Sequence, residues 1–94
     1  MKIFWTRTAL RQLDAIQDYI AQDNRKAARQ ATEKVKRLTV HLSENPELGR
    51  VGRIRGTREL VVPGLPYIVA YAVNQDAVMI LRVLYAARKW PDVF

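Results

Sequence analysis

Cysteine is absent from the 94 residues, and histidine occurs once, as His41. Without thiols there is no disulfide framework and no thiolate metal site. One histidine cannot build a His-based metal cluster, and it leaves a Ser-His-Asp triad without support. No metal and no cofactor are therefore expected. A long apolar run is also missing. The opening MKIFW gives way at once to TRTAL, so neither a signal peptide nor a membrane span is expected, and the cytoplasm is the expected location. Acidic residues are few: 9 Asp and Glu stand against 16 Lys and Arg, for a net charge of +7 and a pI of about 10.3. That balance favours a polyanionic or acidic partner. A chain of this length builds one domain, residues 1–94, with one modest core. A site on it is expected to be a surface groove rather than an enclosed cavity.

The apolar spacing divides the chain into a helical first half and an extended second half. Lys2 to Trp5 is β-prone. Ala9, Leu13, Ile16 and Ile20 recur at i, i+4, i+7 and i+11, one face of a helix, with Thr8 as the expected N-cap. Asp23-Asn24 breaks that run. Ala31, Val35, Leu38 and Leu42 repeat the spacing in a second helix, about 26–43, and Asn45-Pro46 ends it. The two matching stripes predict an antiparallel helical hairpin. A loop is expected over 46–56. Strands are expected over 58–62, 67–73 and 77–85, separated by the turns PGLP and NQD. The last two are apolar at nearly every position, as central strands are. The order is βααβββ, an α+β fold with the hairpin packed on one face of a small, mainly antiparallel sheet.

Charge is one-sided in the second half. Arg50, Arg53, Arg55 and Arg58 form a run of four arginines with no acid among them until Glu59, and Arg82, Arg88 and Lys89 follow near the end of the last strand. Arginine offers a planar fork suited to phosphate and carboxylate. Trp90, and Tyr85 if exposed, could add stacking surface. Arg82 sits inside an apolar strand, where an unpaired cation is costly to bury. It either pairs with a carboxylate such as Glu59 or opens into a groove. The helical cations Arg25, Lys26, Arg29, Lys34, Lys36 and Arg37 read as a solvated helix face. His41, near the end of the second helix, suits the negative end of the helix dipole.

With these residues in view, the chain resembles the RelE/ParE superfamily, the toxins of bacterial type II toxin–antitoxin modules. The resemblance covers nearly the whole chain. It rests on the element order, on TRELVVPGLPYIVAYAV at 57–73 and on VMILRVLYAARKWP at 78–91. RelE-like members cut messenger RNA, generally on the ribosome; ParE-like members poison DNA gyrase and are not nucleases. Both are silenced by an antitoxin with an acidic or amphipathic segment. The nuclease branch generally carries an arginine soon after the tyrosine of the third strand, and here PYIVAY has none. The usual C-terminal histidine is Tyr85 here. Arg58, Arg82 and Tyr85 are thus the candidate catalytic set of the nuclease alternative, and an incomplete one. The resemblance favours the ParE-like branch: a gyrase-binding toxin, of the kind linked to plasmid stabilisation, with no chemistry of its own. Its implied target surface is Arg53, Arg55, Arg58, Arg82, Tyr85, Arg88, Lys89 and Trp90. The cognate antitoxin is expected to grip the hairpin at Leu13, Ile16, Ile20, Arg29 and Lys36. A third reading is a degenerate, non-toxic chain that retains only antitoxin binding.

Overall fold

In a computed structural model, which describes residues 1–87, Trp90 and Phe94, the chain runs β1 (Lys2–Trp5), α1 (Arg7–Ala21), α2 (Arg25–His41), β2 (Arg50–Val51), β3 (Arg58–Val61), β4 (Tyr67–Val73), β5 (Ala77–Tyr85). The sheet has five strands in the order β1-β5-β4-β3-β2. β1 lies parallel to β5, and the other pairings are antiparallel. The expected α+β hairpin-on-sheet architecture holds, with one more strand than the periodicity showed. β2 is only two residues long, too short for any alternation to reveal, and it forms inside the segment expected to be loop.

The first helix begins earlier than expected. Thr6, not Thr8, is the N-cap, accepting from the Ala9 N–H at 3.1 Å. The tertiary fold chooses between the two threonines, because the Thr6 hydroxyl also donates to the Leu81 carbonyl on β5. Asn24 caps α2 by accepting from the Ala27 N–H. Both stripes face the sheet. Ala9, Leu13, Val35 and Leu42 join Leu60, Val62, Tyr67, Val69, Tyr71, Val78, Ile80 and Val83 in the core, with Ile16, Ile20 and Leu38 partly buried beside them.

Register decides which side chains share a face, since successive residues alternate across a sheet. Tyr67, Val69 and Tyr71 of β4 face the helices. Ile68, Ala70 and Ala72 therefore face away. Between β4 and β5 the pairing jumps from Ala70↔Arg82 to Tyr71↔Ile80, leaving Leu81 as an extra residue. This bulge puts Arg82, like Ala70 and Glu59 in the same row, on the side away from the helices. That second face is not bare: Ile68, Ala70, Leu84 and Glu59 are all buried on it.

Candidate functional site

The second face carries the charge network. Arg50 on β2 lies directly opposite Glu59 on β3, and its Nη2 reaches Glu59 Oε1 at 3.1 Å. The loop after β2 then curls over this face, closed by the Gly52 N–H donating to the Thr57 carbonyl and by Gly56 in a left-handed conformation (φ 80°). It delivers Arg53, whose backbone N–H and Nε donate to Glu59 Oε2 at 2.8 and 3.1 Å, while Nη2 donates to Oε1. Burial alone would push the Glu59 carboxyl up. The hydrogen bonds from the Arg53 side chain and backbone and from Arg50 outweigh it and hold the group below the usual carboxylate value.

Glu59 is 3% exposed, and three bonds from the two guanidiniums and one from the Arg53 N–H fill its bonding capacity. Arg82 was expected to pair with it or to open into a groove; it does not pair. It lies in the same row, but two strands away, about 10 Å, and donates to the Leu81 carbonyl instead. Its guanidinium lies 4.9 Å from the centroid of the Phe94 ring. The Arg53 guanidinium stacks 3.6 Å from the centroid of Trp90, and the two rings stand 6.3 Å apart. Carboxylate, guanidinium and indole thus form one stack, Glu59–Arg53–Trp90, with Phe94 against Arg82 beside it. Arg55 is exposed near the loop tip. Arg88 and Lys89 lie outside the described residues.

Arg58 has a different setting. It lies opposite Tyr71, on the helix side, and its Nη1 donates to the Gly49 carbonyl at 2.8 Å. Tyr71 completes the clasp: its hydroxyl accepts from the Gly49 N–H and donates to the Pro46 carbonyl, each at 2.8 Å. Both residues thus anchor the turn that launches β2.

Tyr85 lies at the far end of the sheet, opposite Tyr67. It helps line an open groove of about 530 Å³ with Ile16, Tyr19, Pro66 and Tyr67. Gln12 of α1 lines a smaller neighbouring pocket and supplies the hydrogen-bond acceptor that the Val83 N–H would otherwise find on a neighbouring strand (2.8 Å). Burial pushes the Tyr67 phenol above its ordinary value, and Tyr19 and Tyr85 add to the shift. A phenol so placed keeps its proton at neutral pH and is no base.

The expected nuclease set is not brought together. Four residues of strand, about 13 Å, and two strand spacings, about 10 Å, separate Arg58 from Tyr85, and Arg82 projects from the opposite face to both. Of the residues expected to meet the antitoxin, Leu13 is buried at 3% exposure and serves the core. Ile16 lines the groove, Ile20 packs half-buried, and Arg29 and Lys36 project from α2. The periodicity missed Tyr19, which lies off the apolar stripe yet borders the groove; its signal was a large aromatic between Asp18 and Ile20 on an otherwise polar flank. Among the described residues, no group of three His, Asp or Glu could hold a metal ion, and no helix is long and apolar enough to cross a membrane.

The model of the ParE toxin of type II toxin–antitoxin systems matches residues 3–90. The chain is 44% identical over 92 residues to Y4kP of Sinorhizobium fredii (strain NBRC 101917 / NGR234), described as a candidate toxin, across 98% of this chain and 95% of that one. It is 38% identical over 87 residues to the toxin RelE2 of Caulobacter vibrioides, across 93% of this chain and 97% of the relative. Among solved structures, a chain of the chromosomal ParDE toxin–antitoxin system from P. aeruginosa has the same fold, with a TM-score of 0.79 and 29% identity over 88% of this chain and 92% of that chain.

Proposed function

As a member of the ParE toxin family of type II toxin–antitoxin systems, this chain is the toxin of such a pair, and we propose that it acts by binding and inhibiting DNA gyrase, with no catalysis of its own. The observation that carries this reading is the dispersal of Arg58, Arg82 and Tyr85. Cleavage of RNA by its own 2′-OH needs a base, an acid and cations around one phosphate, within hydrogen-bond reach of it. Here Arg58 is engaged with the Gly49 carbonyl, Arg82 faces the other way, and Tyr85 lies at the far end of the sheet. β4 supplies no arginine.

Binding asks less of geometry. The second face offers Arg50, Arg53 and Arg82 backed by Trp90 and Phe94, with Arg55 at the loop tip, a cationic and aromatic surface for a large target. The antitoxin has a separate place. The groove of Ile16, Tyr19, Pro66, Tyr67 and Tyr85 is apolar and open, and Tyr19 is 71% exposed. Such a groove suits an amphipathic antitoxin segment.

Tyr85→Phe separates the two modes of action. The phenol hydroxyl is the only group on Tyr85 that could carry a proton, so a ribonuclease using it should lose at least about a hundredfold. Tyr85 was expected on the target surface but lies in the groove, away from the second face, so inhibition of gyrase should leave growth inhibition close to wild type, with transcripts intact. Loss of toxicity in a folded Tyr85→Phe protein, together with transcripts that only the wild type cuts, would overturn it.

A further inference from the structure

The charge outside the second face and the α1 groove, including Arg29 and Lys36 of the expected antitoxin surface, is concentrated on one helix. α2 carries Arg25, Lys26, Arg29, Lys34, Lys36 and Arg37 against the single carboxylate Glu33, a net of +5 within a chain of net +7. The ion pairs among the described residues are both made by Glu59. None of the α2 cations is therefore paired there, not even by Glu33, which lies within helical reach of Arg29, Lys36 and Arg37. Two of the six sit where a helix disfavours them. Arg25 and Lys26 open the first turn, at the positive end of the helix dipole, and that turn holds no acid. A sequence placed there only for stability would put carboxylates at those positions.

The pattern is also linear. Arg25, Arg29 and Lys36 stand at i, i+4 and i+11, and Lys26, Gln30 and Arg37 repeat the spacing one residue on. These are two files about 16 Å long on the exposed side of the helix, with Glu33 as the one carboxylate between them. Ala28, Ala31, Thr32, Val35 and Thr39 occupy the buried side.

We infer that the outer face of α2 binds the phosphate backbone of nucleic acid, independently of sequence. An acidic peptide fits the face less well. Protein interfaces are centred on apolar anchors and depleted of charge at the core. The outer face of α2 offers Val40 as its one exposed large apolar residue. The exposed tyrosines Tyr19 and Tyr85 lie in the α1 groove, which no α2 residue lines. A phosphate backbone needs no apolar anchor: each cation that neutralises a phosphate releases condensed counterions, and that release supplies the affinity. The inference stands apart from the gyrase reading, since a toxin with either target could hold nucleic acid in this way.

The test is the salt dependence of binding to a 20-base-pair DNA duplex of arbitrary sequence, followed by fluorescence anisotropy with the full chain. Two variants of equal charge are compared with the wild type. One carries Arg29→Ala, Lys36→Ala and Arg37→Ala, since alanine favours a helix at least as well; the other carries Lys2→Gln, Arg7→Gln and Arg11→Gln. Circular dichroism checks that both fold. Binding by wild type should weaken steeply with salt. The α2 variant should lose about tenfold or more in affinity at low salt, and its log–log slope should shrink by about 2 to 3. The control variant should lose far less. Equal losses in both variants would show that net charge alone matters and would overturn the assignment. So would a wild type that ignores the duplex, or an α2 variant that keeps duplex binding and loses only poly-glutamate.

Discussion

Replacing Tyr71 by phenylalanine is expected to cost about 2 to 4 kcal/mol of stability. The ring is fully buried and phenylalanine fills the same space, so packing contributes little to the loss. The hydroxyl is what matters. It accepts from the Gly49 N–H and donates to the Pro46 carbonyl, and its removal leaves the buried Gly49 N–H unpaired, at about 1 to 3 kcal/mol, and the half-buried Pro46 carbonyl short of a partner at a smaller cost. In a domain of this size the loss corresponds to a fall in Tm of about 10 °C or more. Gly49→Ala attacks the same clasp from the other side, since a Cβ there would meet the Tyr71 ring and hydroxyl at 2.7 Å and the Glu59 carbonyl at 2.8 Å. The two substitutions share one contact, so the double variant should lose less than the sum. Thermal unfolding followed by circular dichroism measures all three. A Tyr71→Phe protein within about 3 °C of wild type would show that the clasp contributes little.

Glu59→Gln is expected to loosen the loop and the stack on Trp90 together. The carboxylate accepts three hydrogen bonds from Arg53 and one from Arg50. An amide keeps one acceptor oxygen and turns an NH2 donor towards a guanidinium or the Arg53 N–H. Arg50 and Arg53 are about half exposed and water can solvate them, which moderates the loss to about 2 kcal/mol. The pH dependence has a definite sign. Because Glu59 in the folded protein titrates below its ordinary value of 4.5, its contribution is fully present above that value. It is lost as pH falls through the lower, folded value. Wild type should therefore lose this increment in acid, below about pH 4.5, and Glu59→Gln should show a flatter stability profile there. Trp90 reports the loop directly. In a Trp5→Phe background its emission should shift to the red in Glu59→Gln at neutral pH, as Arg53 leaves its face. Unchanged emission would mean that the indole holds its place without the carboxylate.

Much of this architecture could be read from spacing. The stripes Ala9–Leu13–Ile16–Ile20 and Ala31–Val35–Leu38–Leu42 marked both helices, and the expected strands 67–73 and 77–85 are β4 and β5 as observed. These elements were legible because each buries one face, or both, over four or more residues. β2 was not, because a two-residue strand has no period. It lies beside β3 with Arg50 opposite Glu59 and with the clasp at Gly49 just before it.

The site was legible in its residue types and much less in its pairings. Four arginines before one glutamate suggested a basic loop. Nothing local showed that Glu59 would be buried, or that Arg50 and Arg53 would reach it before Arg82. That outcome follows from the Leu81 bulge and from the register of β3 on β4, both long-range properties. Arg58 was expected at the target surface, and its side chain instead donates to the turn at Gly49. The groove at Tyr19, Tyr67 and Tyr85 combines a helix flank with the ends of two strands, residues far apart in the chain.

Inhibition of DNA gyrase is decided by a supercoiling assay. Purified gyrase and relaxed plasmid are mixed with this protein, with and without its antitoxin. A gyrase-binding toxin should stop supercoiling and make cleaved plasmid accumulate, and antitoxin should reverse both. Unimpaired supercoiling at toxin concentrations that arrest growth, with cleaved transcripts in the same cells, would contradict it and place the activity on RNA.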